Sequence, residues 1–311
     1  MMAAILFAQQ PRERHFSFEY RAAVPATAVG KSFRLWVPLP HDDDYQRITN
    51  LKIDSSSAYT VATDPLGNRI VSIESSTPPS IRVTFDCSRK EHLRPAGGTG
   101  AAPLSDEERT RWLKPDRMVP LDGTIRKWAR EVVIAAGAHT DLEMARAIYN
   151  HVVATVKYDK TGKGWGRGDI YYACDARRGN CTDFHAIFIG YARAMGIPAR
   201  FSIGFPIPPE RGHGSIAGYH CWAEFYAKGI GWIPIDASEA GKDPSKREYF
   251  FGAHDENRVE FTRGRDLQLI PLQAGDPLNY FIYPYAEVDG KPVDDLDRVF
   301  TWTDMSRLTS F

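Results

Sequence analysis

The chain is short of cysteine, of net charge and of long apolar runs, and each shortage removes a class of protein. Four cysteines in 311 residues, Cys87, Cys174, Cys181 and Cys221, are too few for a disulfide scaffold. None of their spacings is a CxxC pair of the kind that holds structural zinc. A Cys174–Cys181 bridge is a question of geometry that spacing leaves open. Lys+Arg and Asp+Glu both number 39, so the formal net charge is zero. Without a basic stripe above that balance, a nucleic-acid partner is not expected. No segment is apolar enough to span a bilayer, and neither an internal repeat nor a low-complexity tract interrupts the chain. No metal and no cofactor is expected.

What remains is ordinary in bulk and specific in places. Hydrophobic content of 43% and charged content of 25% suit a globular protein. Aromatic content of 12%, from 7 Trp, 14 Tyr and 16 Phe, suits an aromatic-lined cleft, although a well-packed β core accounts for most of those rings. The start, Met1-Met2-Ala3-Ala4-Ile5-Leu6-Phe7-Ala8-Gln9-Gln10, resembles the end of a secretory signal that lacks its charged beginning. That reading leans towards export to the periplasm over a cytoplasmic location.

Residues 11–95 read as a β-rich N-terminal domain. Phe16, Phe18 and Tyr20 alternate with polar neighbours, as do Phe33, Leu35 and Val37, and Ile81, Val83 and Phe85. Turn clusters such as Asp64-Pro65-Leu66-Gly67-Asn68 separate the runs, and the spacing predicts a small β sandwich. Arg94 to Gly100 has linker composition. Residues 105–311 form the second predicted domain, with its core at 120–240. Helices are expected from Ser105 to Leu113 and from Thr140 to about Val156, each with a start signal, and from Asp122 to Ala136, which ends at Gly137. Beyond Pro198 the period returns to two. Helices and strands that segregate instead of alternating argue for an α+β fold.

The chemistry centres on Cys181. Gly179-Asn180-Cys181-Thr182-Asp183 precedes an apolar pattern of helical period, Phe184, Ile187, Phe188, Tyr191 and Met195. The sulfur therefore sits in a helical first turn, where unpaired N–H groups and the helix dipole favour a thiolate. Its backbone N–H is a natural oxyanion donor; Trp165 and Asn180 are candidates for a second. Downstream, His220 to Tyr226 and Gly231 to Asp236 read as a hairpin. With a three-residue loop at Ala227-Lys228-Gly229, residues pair when their numbers sum to 456, so His220 would face Asp236 with Cβ atoms about 5 Å apart. His220 would then serve Cys181 as base and acid, and Asp236 would orient the imidazole. Each residue alone has a plainer explanation, a buried thiol, a structural histidine and a turn aspartate; the ordered set is what favours catalysis. His185, one turn after Cys181, is a rival base. Trp222, Glu224 and Trp232 share the predicted face of His220 and are candidates for the cleft wall. Cys221 points the other way, into the core, and His213 belongs to a loop at the rim.

These blocks resemble the transglutaminase-like superfamily, the papain-related group of Cys-His-Asp enzymes. The resemblance rests on Gly179-Asn180-Cys181 with Phe184, on Gly196-Ile197-Pro198-Ala199-Arg200, on His220-Cys221-Trp222-Ala223-Glu224-Phe225 and on Gly231-Trp232-Ile233-Pro234-Ile235-Asp236. It spans roughly residues 120 to 240. It implies Cys181, His220 and Asp236 as a triad, and a papain-like core with the cysteine on a central helix beside the sheet that bears the other two. A β-rich domain before such a core is similar to family arrangements. No acidic cluster resembles the calcium sites of the animal enzymes and no CxxC pairs resemble those of the zinc-bearing glycanases, so the chain looks like the compact bacterial branch. The expectation is a cysteine protease, amidase or transglutaminase that cleaves an amide of a peptide or protein, at glutamine or elsewhere, through a thioester. Hydrolysis is the default and acyl transfer the alternative. The rival from another class is a non-catalytic peptide-binding or scaffolding module.

Overall fold

A computed structural model describes residues 10–94 and 100–305. The signal-like stretch up to Gln9 and linker residues 95–99 lie outside them. The chain begins with strands β1 (Glu13–Ala23), β2 (Phe33–Leu39), β3 (Gln46–Ser55), β4 (Tyr59–Thr63), β5 (Arg69–Ser75), β6 (Ser80–Lys90) and β7 (His92–Leu93). Helices follow: α1 (Asp106–Leu113), α2 (Gly123–Ala135), α3 (Asp141–Thr155), α4 (Ile170–Ala176) and α5 (Cys181–Ala194), with short strands β8 (Lys157–Tyr158) and β9 (Arg178–Gly179) either side of α4. Next come β10 (Ala199–Pro206), β11 (His213–Ser215), β12 (His220–Ala227), β13 (Gly231–Ile235) and helix α6 (Ala237–Lys242). The last strands are β14 (Ala253–His254), β15 (Arg258–Arg263), β16 (Tyr285–Val288), β17 (Lys291–Val293) and β18 (Asp297–Asp304). The architecture is α+β.

The helices begin where their capping residues dictate. Ser105 and Thr140 each close a capping box with a glutamate three residues on, and Asp122 caps α2 by accepting from Thr124 and Ile125 N–H. Helix α5 ends at Gly196, whose φ of 82° is the left-handed conformation of a helix terminator. From Cys181 to Arg193 every α5 residue is buried, the pattern of a helix packed on all sides. It lies against an antiparallel sheet of order β13-β12-β10-β15, with Phe188 meeting Phe225 at 5.9 Å between ring centroids.

Two five-stranded sheets make up the β-rich part, of orders β11-β18-β1-β6-β3 and β17-β16-β2-β5-β4. The predicted boundary at 105 does not separate them from the chain's end. Strand β18 pairs with β1 from Phe16↔Asp304 to Ala23↔Asp297, and β16 pairs with β2. Residues 285–304 thus complete sheets that the first strands begin, covering edges that would otherwise offer unpaired N–H and C=O groups. The aromatic face of β1 and β6 packs on the sheet of the second half: Phe18 lies 5.3 Å from Phe205 and 5.8 Å from Phe261. The two halves therefore share one contiguous apolar core.

One close approach fixes β10 on β15. The pairing shifts register at Ile203/Gly204, and a Cβ on Gly204 would stand 1.8 Å from the Val259 carbonyl oxygen. Because the obstacle is backbone, Gly204→Ala should cost about 1–3 kcal/mol. A urea unfolding midpoint unchanged from the parent protein would contradict this.

Candidate active site

The start of α5 is held by one carboxylate. Asp183 is fully buried and accepts from the N–H groups of Asn180 at 2.9 Å, Gly166 at 2.7 Å and Gly168 at 3.1 Å. Gly179 allows this, since a Cβ there would meet Asp183 Oδ2 at 2.2 Å. Asn180 supplies the other half of the cap, its Oδ1 accepting from Thr182 N–H at 2.9 Å. Cys181 follows as the first helical residue, 1% exposed.

His220 and Asp236 come together, but not by the register expected. The observed ladder pairs Tyr226 with Trp232 and Glu224 with Pro234, a sum of 458 where 456 was expected. Gly229 does take the left-handed conformation, with φ of 77°, but Ala227 stays in the buried ladder opposite Gly231, and the turn closes from Ile230 N–H to the Ala227 carbonyl. A slip of two keeps every side chain on its face. Asp236 lies just past the end of β13, where it caps α6, and His220 reaches it diagonally, Nε2 to Oδ2 at 2.7 Å.

Asp236 thus engages Nε2 of His220 and not Nδ1. Burial by itself would raise the Cys181 thiol; the influence of Cys221 and His220 outweighs it and holds the group well below its usual range. Burial by itself would lower His220; the Asp236 charge and hydrogen bond reverse that and lift it to about 10. Asp236, fully buried, is kept well below the ordinary carboxylate range against its burial by His220 and Arg258. Arg258 Nη1 stands 3.0 Å from the same Oδ2, while Ser238 Oγ and Glu239 N–H donate to Oδ1. A buried carboxylate and guanidinium thus stand behind the imidazole of His220.

The remaining candidates are placed as follows. His185 is fully buried and its Nε2 accepts from Ala237 N–H at 3.2 Å, so its ring is neutral and burial lowers it further. Trp165 Nε1 donates to the Gly162 carbonyl at 3.2 Å, and Asn180 Nδ2 donates to Tyr219 Oη at 2.9 Å, so both donors are engaged. Trp222, Glu224 and Trp232 line a polar chamber with Arg89 and Arg263, on the face of the sheet turned away from α5. His213 is in β11, paired with Thr303 of β18. All four cysteines are free thiols.

Two neighbours of the candidate site escape a local reading. Cys221 is on the opposite strand face from His220, as alternation requires, but that face is the one α5 covers. Its sulfur touches Thr182 Oγ1 and His185 Nδ1, each at 3.7 Å, and it acts to lower the Cys181 thiol. The signal was the alternation itself, once α5 is known to pack there. Arg258 begins β15, far along the chain, and no local pattern ties it to Asp236.

Comparison with known proteins bears on the fold. Residues 126–237 match the family model of the Transglutaminase-like superfamily, a span that contains Cys181, His220 and Asp236. A relative from Haemophilus influenzae, named only as an uncharacterized protein, is 27% identical over 326 residues, covering 91% of this chain and 87% of its own. Among solved structures, a candidate cysteine protease from Cytophaga hutchinsonii superposes with a TM-score of 0.65 at 17% identity, over 97% of this chain and 93% of that one. The periplasmic domain of TgpA from Pseudomonas aeruginosa aligns with a TM-score of 0.39 at 14% identity, over 76% and 91%. The fold is transglutaminase-like.

Proposed function

We propose that this protein is a thiol-dependent enzyme acting on an amide of a peptide or protein, with Cys181 as nucleophile, His220 as acid and base, and Asp236 as the group that orients His220. The carrying observation is the buried Asp236 carboxylate 2.7 Å from His220 Nε2, with Cys181 as the first residue of helix α5. In this reading the Cys181 thiolate attacks the carbonyl carbon, and its own backbone N–H receives the oxyanion. His220 gives a proton to the departing amine, leaving a thioester that water hydrolyses or a second amine captures. The likeness to a candidate cysteine protease supports the hydrolytic outcome. Arg258 acts through Asp236 and is a positioning residue.

The pH dependence tests the reading. Cys181 lies below its ordinary value, so its alkylation by iodoacetamide should be nearly level from neutral pH upwards. Cys174, raised by burial, should gain rate with every step in pH. Amide turnover should decline as the pH climbs through about 10, where His220 loses the proton the leaving amine needs. Mass spectrometry of labelled peptides, normalised to the urea-unfolded chain, reads each thiol separately. If Cys181 follows the same profile as Cys174, the binding-module reading replaces the enzyme.

A further inference from the structure

The sheet face turned away from α5 encloses a chamber of about 230 Å³ whose lining includes Arg89, Arg200, Arg263, Glu224, Trp222 and Trp232. At roughly 30 Å³ per water molecule this is space for about eight waters, or one molecule of amino-acid size. Trp222 separates it from the thiol site, with its ring 5.8 Å from that of His220.

The polar groups of the chamber are unevenly satisfied. Arg200 is bound to Glu224 at 2.6 Å and Arg263 Nη2 to Glu260 at 2.7 Å. Arg89 is 1% exposed, yet its Nε and Nη1 find no hydrogen-bond partner among the described residues, and neither does Arg263 Nε. The nearest carboxylate to Arg89, that of Asp43, is 3.9 Å away. Buried guanidinium N–H groups without acceptors are costly, and a carboxylate is their natural complement.

Beside these donors lies a cluster of opposite character. His41, Asp43 and Glu260 bring ligand atoms within 4.8 Å of one another. Gln46 locks this cluster together, its amide donating to the His41 and Glu260 carbonyls while its oxygen accepts from Glu260 N–H. A divalent cation there would face the guanidinium of Arg263 on Glu260 and that of Arg89 beside Asp43. Of the four carboxylates in the lining Asp44 is exposed to solvent; a lone anion would upset the balance inside, where three arginines face Asp43, Glu224 and Glu260, and net charge in a buried site is expensive. A ligand carrying both charges satisfies both ends and adds none.

We propose that this chamber binds a small zwitterion of the α-amino-acid class, its carboxylate on the unpaired N–H groups of Arg89 and Arg263 and its ammonium against Asp43 and Glu260. The rings of Tyr45, Trp222 and Trp232 then border the ligand's side chain.

Thermal unfolding of the full chain at pH 7 with each standard L-amino acid at millimolar concentration tests this, with propionate and propylamine as the two half-molecules and calorimetry to give Kd. At least one amino acid should raise the melting temperature where neither half-molecule does. Arg89→Met and Asp43→Asn should each weaken that Kd by about tenfold or more, while Cys181 alkylation stays within about twofold of the parent. No stabilisation by any amino acid overturns the proposal. So does an effect that propionate reproduces, or one that survives in Asp43→Asn, the half-buried site that decides if Arg89→Met does not fold.

Discussion

Replacing His220 with alanine should slow alkylation of Cys181 at pH 7 by at least about 30-fold, because an ordinary thiol near 8.5 is only about 3% ionised there. Burial makes that a lower bound, since it is the largest influence on Cys181 and pushes the thiol upwards once its partner is gone. Turnover of an amide should fall further, by about 10²–10⁴ more, as the leaving amine also loses its proton donor. His185 offers no rescue: it is four residues along the same helix, and its Nε2 already accepts from Ala237 N–H. Cys221 also acts to lower the Cys181 thiol, so Cys221→Ala is the informative partner variant. If His220→Ala leaves the alkylation rate within about twofold and Cys221→Ala removes it, the charge at Cys181 is held by the neighbouring thiol, and His220 has another task.

Much of this site is legible in sequence because its parts are local. Helix starts depend on residues within four positions, so Ser105 and Thr140 announce their helices and the structure caps both as expected, with Asp122 and Asn180 capping the other two. Cys181 at a helical first turn belongs to the same class of inference. The hairpin is intermediate. Its existence and faces follow from alternation, but its register turns on whether Ala227 joins the ladder, and the core that buries Ala227 to 1% exposure decides that. Trp222, Glu224 and Trp232 show the limit of a face argument: alternation groups them with His220 correctly, yet His220 at the strand end meets Asp236 while the others line a chamber behind the sheet. What local reading does not reach is contact across the chain. Arg258 on Asp236, Cys221 on Thr182, and β18 on β1 join segments whose neighbourhood only the completed fold defines.

Asp183→Ala should cost about 3–6 kcal/mol, since it strands three buried N–H groups at roughly 1–2 kcal/mol each. Against a total stability of about 5–15 kcal/mol, this variant would fold only in part or melt much earlier. Asp183→Asn keeps one acceptor oxygen and should lose less, which makes it the variant that separates holding the loop from tuning the sulfur. Asp183 and Cys181 are both anionic in the proposed state and each disfavours the other's charge. Removing the carboxylate charge should therefore loosen the Gly166–Gly168 loop while easing ionisation of Cys181. The expected result is a lower urea midpoint together with alkylation of Cys181 at least as fast as in the parent protein. A lower midpoint with slower alkylation would mean that the loop, and not the helix start and His220, keeps the sulfur ionised. An unchanged midpoint would mean that the three hydrogen bonds do not hold the loop. Gly179→Ala reaches the same carboxylate by another route, because its Cβ would take the place of Asp183 Oδ2. Its unfolding should therefore follow that of Asp183→Ala, although both parent side chains of the site, Cys181 and His220, are still present.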